Sequence, residues 1–278
     1  MLRNRPNFAL PALALLATLA TALLIAASPS PALAAETPTA GAPFSYGQSN
    51  RYTLGGTWFL RRDLSNAGAA AQWQRTTNFA SWEKVSVPNA FNAGDGSETS
   101  YTGYAAWYAT QFERPASPRG SNWILQFNSV NLTAHVYLNG RLIGRHTGGY
   151  VPFEIPASGL RSGTNTLVIR TDSSLKVNSV PSVEERSDQL TGGWWNFGGI
   201  LREVVLRRVG KFDISEAAAR SSVRVSKGKA RGSARITVVV SVKNYGNRAR
   251  LALRGSFGKS RVKFRPTVIK RGRSGQLV

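Results

Sequence analysis

Ala134-His135-Val136-Tyr137-Leu138-Asn139-Gly140-Arg141-Leu142-Ile143-Gly144 reads as two strands and the turn between them. Ala134, Val136 and Leu138 fall on one side of an extended chain and His135 and Tyr137 on the other, because successive side chains point to opposite faces. Asn139-Gly140 is the strongest short-range hairpin signal, since both residues tolerate the positive φ of a two-residue turn. Upstream, Trp123, Leu125 and Phe127 alternate with Ile124, Gln126 and Asn128. Downstream, Asn165 to Asp172 sets Leu167 and Ile169 on one face. Many short strands, frequent turn residues and no sustained helical period predict an all-β antiparallel sandwich.

The pattern extends both ways. Leu54 to Asp63 opens the domain as a strand, and a polar, Ala-rich connection leads to a short strand over Trp82–Val87 that Pro88 ends. Asn89 to Thr102 reads as a loop, and Tyr104 to Phe112 as an aromatic strand. In Gly192-Gly193-Trp194-Trp195-Asn196-Phe197-Gly198-Gly199, the two tryptophans cannot both enter one core if the chain is extended. One should pack inside while the other stays near the surface, and Ile200 to Val209 should follow as a strand. A second stretch is built alike: Arg145-His146-Thr147-Gly148-Gly149-Tyr150-Val151-Pro152-Phe153-Glu154.

These two stretches, at this order and spacing, resemble the N-terminal domain of family 2 glycoside hydrolases, the β-galactosidases, β-glucuronidases and β-mannosidases. The resemblance covers roughly Tyr46 to Val209. It implies a galactose-binding-like jelly roll over 51–209. It further implies an immunoglobulin-like sandwich next, over 210–278. There Ile236, Val238, Val240 and Val242 face one way and Thr237, Val239 and Ser241 the other. About 69 residues are short of the ~100 of a full sandwich of that kind, so this second domain is expected to be truncated.

The 278 residues hold no cysteine, which excludes disulfides and thiolate metal centres. Arg3 and Arg5, the apolar run Phe8 to Ala27, the Ser28-Pro29-Ser30-Pro31 break and Ala32-Leu33-Ala34 predict a signal peptide over 1–34 and a secreted protein. No membrane span should remain after cleavage. A flexible lead over 35–50 follows. The net charge of +22 concentrates in Gly210 to Val278, where 18 Lys/Arg face only Asp213 and Glu216. This shift places a domain boundary near Gly210 and offers 210–278 to an anionic wall polymer. No nucleic-acid motif accompanies it.

Glycoside hydrolysis needs two flanking carboxylates. The family's pair sits on a (β/α)₈ barrel after the immunoglobulin-like domain, and no βαβ alternation occurs in this sequence, so no catalytic residue is assigned and the chain alone is expected to be inactive. The barrel would be a partner in cis. Glu184, Glu185 and Asp188 form a solvated charged loop. His135 lies on a polar strand face, and His146 is placed to order the Gly148-Gly149-Tyr150 turn. No metal or cofactor site is assigned. The resemblance implies a β-glycoside or polysaccharide substrate and three substrate-binding candidates. These are Asp172, at the place of the sugar-binding β-galactosidase aspartate, and Trp194 and Trp195, whose rings suit a pyranose face. The aspartate that β-glucuronidases carry three residues before the Asn is replaced by Gly193. A stand-alone, lectin-like carbohydrate-binding module is the alternative.

Overall fold

The alternating stretches become two antiparallel sheets stacked face to face. The computed structural model describes residues 40–45, 47, 50–176, 184–186, 189–191, 194–223, 225–226, 229–230 and 234–278, with backbone alone for 184–186, 189–191, 225–226 and 229–230. The predicted signal segment lies outside the described residues, as does half of the lead. In chain order the strands are β1 (Phe44–Ser45), β2 (Arg51–Thr53), β3 (Trp58–Asp63), β4 (Glu83–Val85) and β5 (Asn89–Ala90). A short helix α1 (Glu98–Thr102) precedes β6 (Ala105–Glu113), β7 (Asn122–Phe127), β8 (Val130–Asn131), β9 (Thr133–Leu138) and β10 (Arg141–Thr147). Next come β11 (Phe153–Pro156), β12 (Thr164–Asp172), β13 (Glu184–Arg186), β14 (Gln189–Thr191), β15 (Gly199–Ile200) and β16 (Val204–Val209).

One sheet runs β10-β9-β12-β6-β3-β4 and the other β1-β2-β16-β7-β11. The predicted hairpin forms as read: Leu138 pairs with Arg141, and Asn139 and Gly140 take φ of 52° and 79°. Between the sheets lies a core that includes Trp58, Tyr108, Leu125, Phe127, Val136, Leu138, Ile169 and Leu206. Ala134, Val136 and Leu138 are buried as their alternation requires.

The outer face of the six-stranded sheet departs from the reading. Residues 64–82 do not merely connect two strands; they lie over that face. Phe79, Trp82 and Trp73 pack with Phe59, Trp107, Ala109 and Val168 in a second apolar cluster. Phe79 meets Phe59 at 5.1 Å and Trp82 edge-on at 5.3 Å, and Arg61 sits 3.9 Å over the Trp73 ring. Both faces of β12 are therefore covered, which explains why Val168 is as buried as Leu167 and Ile169. Asp63 starts this cover. Its buried carboxylate accepts the amides of Ala67 (2.7 Å) and Gly68 (3.0 Å) and the Trp107 indole N–H (2.8 Å). A Cβ at Gly68 would lie 2.5 Å from both Trp107 Nε1 and Trp73 Cε3, so only glycine lets the turn close on the rings.

The second sandwich comprises β17 (Phe212–Ser222), β18 (Val225–Ser226), β19 (Lys229–Ala230), β20 (Arg235–Asn244), β21 (Ala249–Leu251), β22 (Arg254–Phe257), β23 (Ser260–Lys263), β24 (Thr267–Ile269) and β25 (Ser274–Leu277). β20 pairs with β17 and β25, and its Val240 and Val242 pack on Ile269 and Leu277. Ile236, expected on the same inner face, is 38% exposed. β25 pairs only with Val240 to Lys243, so the other half of β20 is not covered from that side. The two sandwiches meet at Arg207, whose guanidinium bonds Asp213 at 2.7 and 2.8 Å and Glu154 at 2.7 Å.

Asp63→Ala strips the acceptor from two amides and a buried indole. The expected loss is roughly 2–4 kcal/mol, read as a lower urea midpoint at unchanged m-value. A change below about 0.5 kcal/mol would show that the 64–82 cover closes without Asp63.

Candidate functional site

The glycine-flanked aromatic stretch is not an extended strand. Trp194 to Gly198 is an irregular segment, and the expected strand from Ile200 to Val209 is interrupted at Leu201–Glu203. Neither tryptophan enters the core. Trp194 is partly buried, Trp195 is 36% exposed and Phe197 43% exposed, while Asn196 between them is wholly buried. An irregular segment satisfies few of its own backbone groups, so something polar must sit beneath it.

Three asparagines do. Asn196 donates through Nδ2 to Ser173 O (2.6 Å) and accepts at Oδ1 from Asn131 Nδ2 (3.0 Å). Asn131 Nδ2 also reaches Phe197 O at 2.7 Å. Asn92 donates to Asn196 O (2.8 Å) and Ser100 O (3.0 Å) and accepts the Gly198 amide at 2.9 Å. β15 then pairs with β5 on one side and β8 on the other. A Cβ at Gly198 would collide with Phe91 and Ser173, so the backbone lies directly on its supports.

The second glycine pair meets the same support. Asn131 Oδ1 is buried without a hydrogen-bond donor, and a Cβ at Gly149 would overlap it. Gly149 O accepts from Ser129 Oγ at 2.7 Å. The His146 ring faces Gly148 O through Nε2 (3.1 Å) and stacks on Phe153 at 3.9 Å, as expected of a residue that orders this turn. Residues 129–131 thus clamp both motif stretches together. Above them Trp194 meets Tyr150 edge-on at 6.4 Å and Trp195 meets Tyr101 edge-on at 5.4 Å. The result is an outward aromatic rim of Tyr101, Tyr150, Trp194, Trp195 and Phe197.

Asp172 ends β12. Its carboxylate accepts from Arg170 (2.9 Å) and the Ser174 amide (3.0 Å), and Arg170 also donates to Asn66 (2.7 Å). Burial pushes the carboxyl up, but the Ser174 and Arg170 contacts outweigh it and leave Asp172 below the usual carboxylate range. Its carboxylate shares no partner with Trp194 or Trp195, although the next residue, Ser173, holds Asn196. His135, across from Arg170, is held below its ordinary value by burial and by Arg145 and Arg170, with Asp172 opposing. Gly193, Asp188 and the side chains of Glu184 and Glu185 lie outside the described residues.

The asparagine clamp escaped the sequence reading. Asn196 stood in the aromatic motif, yet only the hydrogen bonds reveal it as the buried member. Asn92 lies between β5 and α1, within the stretch whose composition predicts a loop.

Residues 71–200 match the sequence profile of the glycosyl hydrolase 2 galactose-binding domain-like family. This segment is a galactose-binding-like domain of the family 2 glycosyl hydrolases. Two Formosa agariphila proteins match part of this chain. One is 34% identical over 142 residues, 50% of this chain and 16% of the relative. The other, a beta-glucuronidase, is 28% identical over 160 residues, 50% of this chain and 15% of the relative. A beta-galactosidase of Thermoanaerobacter pseudethanolicus is 30% identical over 134 residues, 46% of this chain and 17% of the relative. The chain therefore spans less than a fifth of the length of these relatives. Among solved structures, the Bacteroides uniformis beta-glucuronidase shares the fold with a TM-score of 0.61 at 21% identity, over 81% of this chain and 26% of that one.

Asn196→Ala should cost roughly 2–3 kcal/mol and leave Ser173 O without its donor. Acrylamide quenching of Trp195, isolated by comparison with Trp195→Phe, should rise as the family 2 domain loses its clamped loop. Unchanged quenching would show the loop to be held by other contacts. In a separate test, Asp172→Asn removes the one anion that favours protonated His135. The His135 titration followed by NMR should move to lower pH, and a shift upward would contradict the geometry.

Proposed function

We propose that this chain serves as the non-catalytic N-terminal portion of a secreted, longer family 2 glycoside hydrolase that cleaves β-glycosides. The observation that carries this reading is the aromatic rim fixed over the Asn92–Asn131–Asn196 clamp in a domain matching the galactose-binding-like family. A loop that only filled a core would turn its rings inward; this one buries its amide and leaves its rings out. In the proposed role, the rim faces a catalytic (β/α)₈ barrel carried elsewhere in the longer protein, and Trp194 or Trp195 stacks on the sugar. Flat rings suit this, giving apolar contact with little conformational entropy to lose. Asp172, ionised and still partly accessible, accepts sugar hydroxyls in charge-assisted hydrogen bonds.

Catalysis by this chain's own described carboxylates finds no support. Glu154 and Asp213 converge on the Arg207 guanidinium, where they join the two sandwiches. Both are engaged in this junction rather than free to flank a glycosidic bond. In this proposal residues 1–34 direct secretion, 51–209 and 210–278 act as separate domains, and the basic second domain faces anionic wall polymer or an acidic barrel surface.

An immunoblot of source cells and medium with antibody to residues 36–209 tests the reading. A band in the medium far above the 30.1 kDa of this chain is expected. In that longer protein Trp195→Ala should lower kcat/KM about tenfold on a β-glycoside. A single band near 30 kDa, together with glycan binding, would replace the enzyme with a lectin-like module.

A further inference from the structure

The far end of the six-stranded sheet carries different chemistry. A cleft of about 370 Å³ opens at the β9–β10 turn, lined by Gln74, Arg75, Asn139, Arg141, Arg161 and Thr166 among others. β9 separates it from the aromatic rim by about 20 Å, six residues at the rise of a strand. Its walls are fixed by asparagines. Asn139 donates to Gly159 O (3.0 Å) and Asn165 Oδ1 (2.9 Å) and accepts the Thr166 amide (3.0 Å). The fully buried Asn165 bonds both Arg161 N (2.8 Å) and Arg161 O (3.1 Å). The backbones carrying Arg141 and Arg161 are thereby tied to one another. Arg75 lies across the turn: a Cβ at Gly140 would sit 3.3 Å from Arg75 Cγ.

Two features of this cleft want a ligand. Arg75, Arg141 and Arg161 are exposed cationic residues that line one cavity and meet no carboxylate among the described residues. Beside them Gln74 Oε1 is buried and receives no donor. An anion alone answers the first feature and leaves the second, because a fully ionised group brings no proton to an amide oxygen. A molecule bearing both an acidic group and hydroxyls answers both.

We propose that this cleft binds an acidic sugar, with Arg75, Arg141 and Arg161 taking its carboxylate or sulfate and Gln74 Oε1 accepting from a hydroxyl. The cavity falls within the range of sites that enclose small ligands. Because it lies at the opposite end from the rim, occupancy of one site leaves the other open. The inference stands on this geometry and not on the hydrolase reading.

Calorimetry on the full 278-residue chain tests it, with tetragalacturonate, neutral cellotetraose and inorganic sulfate as probes. Tetragalacturonate should bind and cellotetraose should not. Arg75→Ala/Arg141→Ala/Arg161→Ala should weaken tetragalacturonate at least tenfold, consistent with loss of charge-assisted hydrogen bonds. Arg250→Ala/Arg254→Ala, in the basic second sandwich, should leave it unchanged. Gln74→Leu should weaken tetragalacturonate several-fold and spare sulfate. Arg141→Ala alone, at an exposed position, carries the test if the triple variant misfolds, with an expected loss of about threefold. Absence of tetragalacturonate binding would overturn the proposal, as would binding that survives the cleft variants but falls with Arg250→Ala/Arg254→Ala. Equal loss of sulfate and sugar in Gln74→Leu, or loss of neither, would reduce the cleft to a plain anion site.

Discussion

The hydrogen bond between Asn131 and Asn196, wholly buried at both ends, is the constraint on which the site depends. A loop without a ladder would ordinarily take its hydrogen bonds from water and stay mobile. Here side-chain amides stand in for the missing ladder. Each of Asn92, Asn131 and Asn196 uses both donor and acceptor capacity, or has one end pressed on backbone, as Asn131 Oδ1 is by Gly149. In a low-dielectric interior such a network is worth more than its separate bonds, and each member is costly to lose. Gly149 and Gly198 follow from the same demand, since a side chain at either would lift the backbone off its support.

The rigidity of the rim is passed on by packing. β8 continues into β9 after one residue, and β9 is held between β10 and β12. β12 is covered on both faces, by the main core on one side and by Trp107 and its neighbours on the other. Asp63 belongs to this chain of support although it lies far from the rim, because it anchors the cover through the Trp107 indole. A second junction, at Arg207, joins the sandwiches. Hydrogen bonding to Asp213 raises the already high Arg207 value, burial opposing, so the guanidinium stays charged wherever the protein is folded. Nearby, burial and the Asp213 and Glu154 charges push the Tyr245 phenol up to about 12.

Strand alternation made the sandwich legible. Ala134, Val136 and Leu138 alternate cleanly because only one of their faces is buried, and Asn139-Gly140 named its own turn. The cover over 64–82 was not legible: Trp73, Phe79 and Trp82 follow neither a two-residue nor a helical period, and an Ala-rich, polar stretch conceals three large rings. The tryptophan pair misled for a related reason. The segment is not extended, so alternation does not govern it, and the inward place goes to Asn196, a polar residue that hydrophobic patterning passes over. Its burial follows only from the backbone groups it satisfies, and those come from residues as distant in sequence as Asn92 and Ser173.

Covering both faces of the six-stranded sheet leaves ligands little access except at its ends. The inner face is closed by the second sheet and the outer by Phe79, Trp82 and Trp73. What remains are the loops at either end of β9 and β12, where backbone groups free of the ladder must find partners anyway. Asparagines solve that problem at both ends, Asn92, Asn131 and Asn196 at one and Asn139 with Asn165 at the other. The side chains set above them differ: aromatic rings at the first end, arginines at the second. The same scaffold device therefore presents an apolar stacking surface and a cationic cleft about 20 Å apart, and what each end receives is decided by the residues left over once the asparagines have satisfied the backbone.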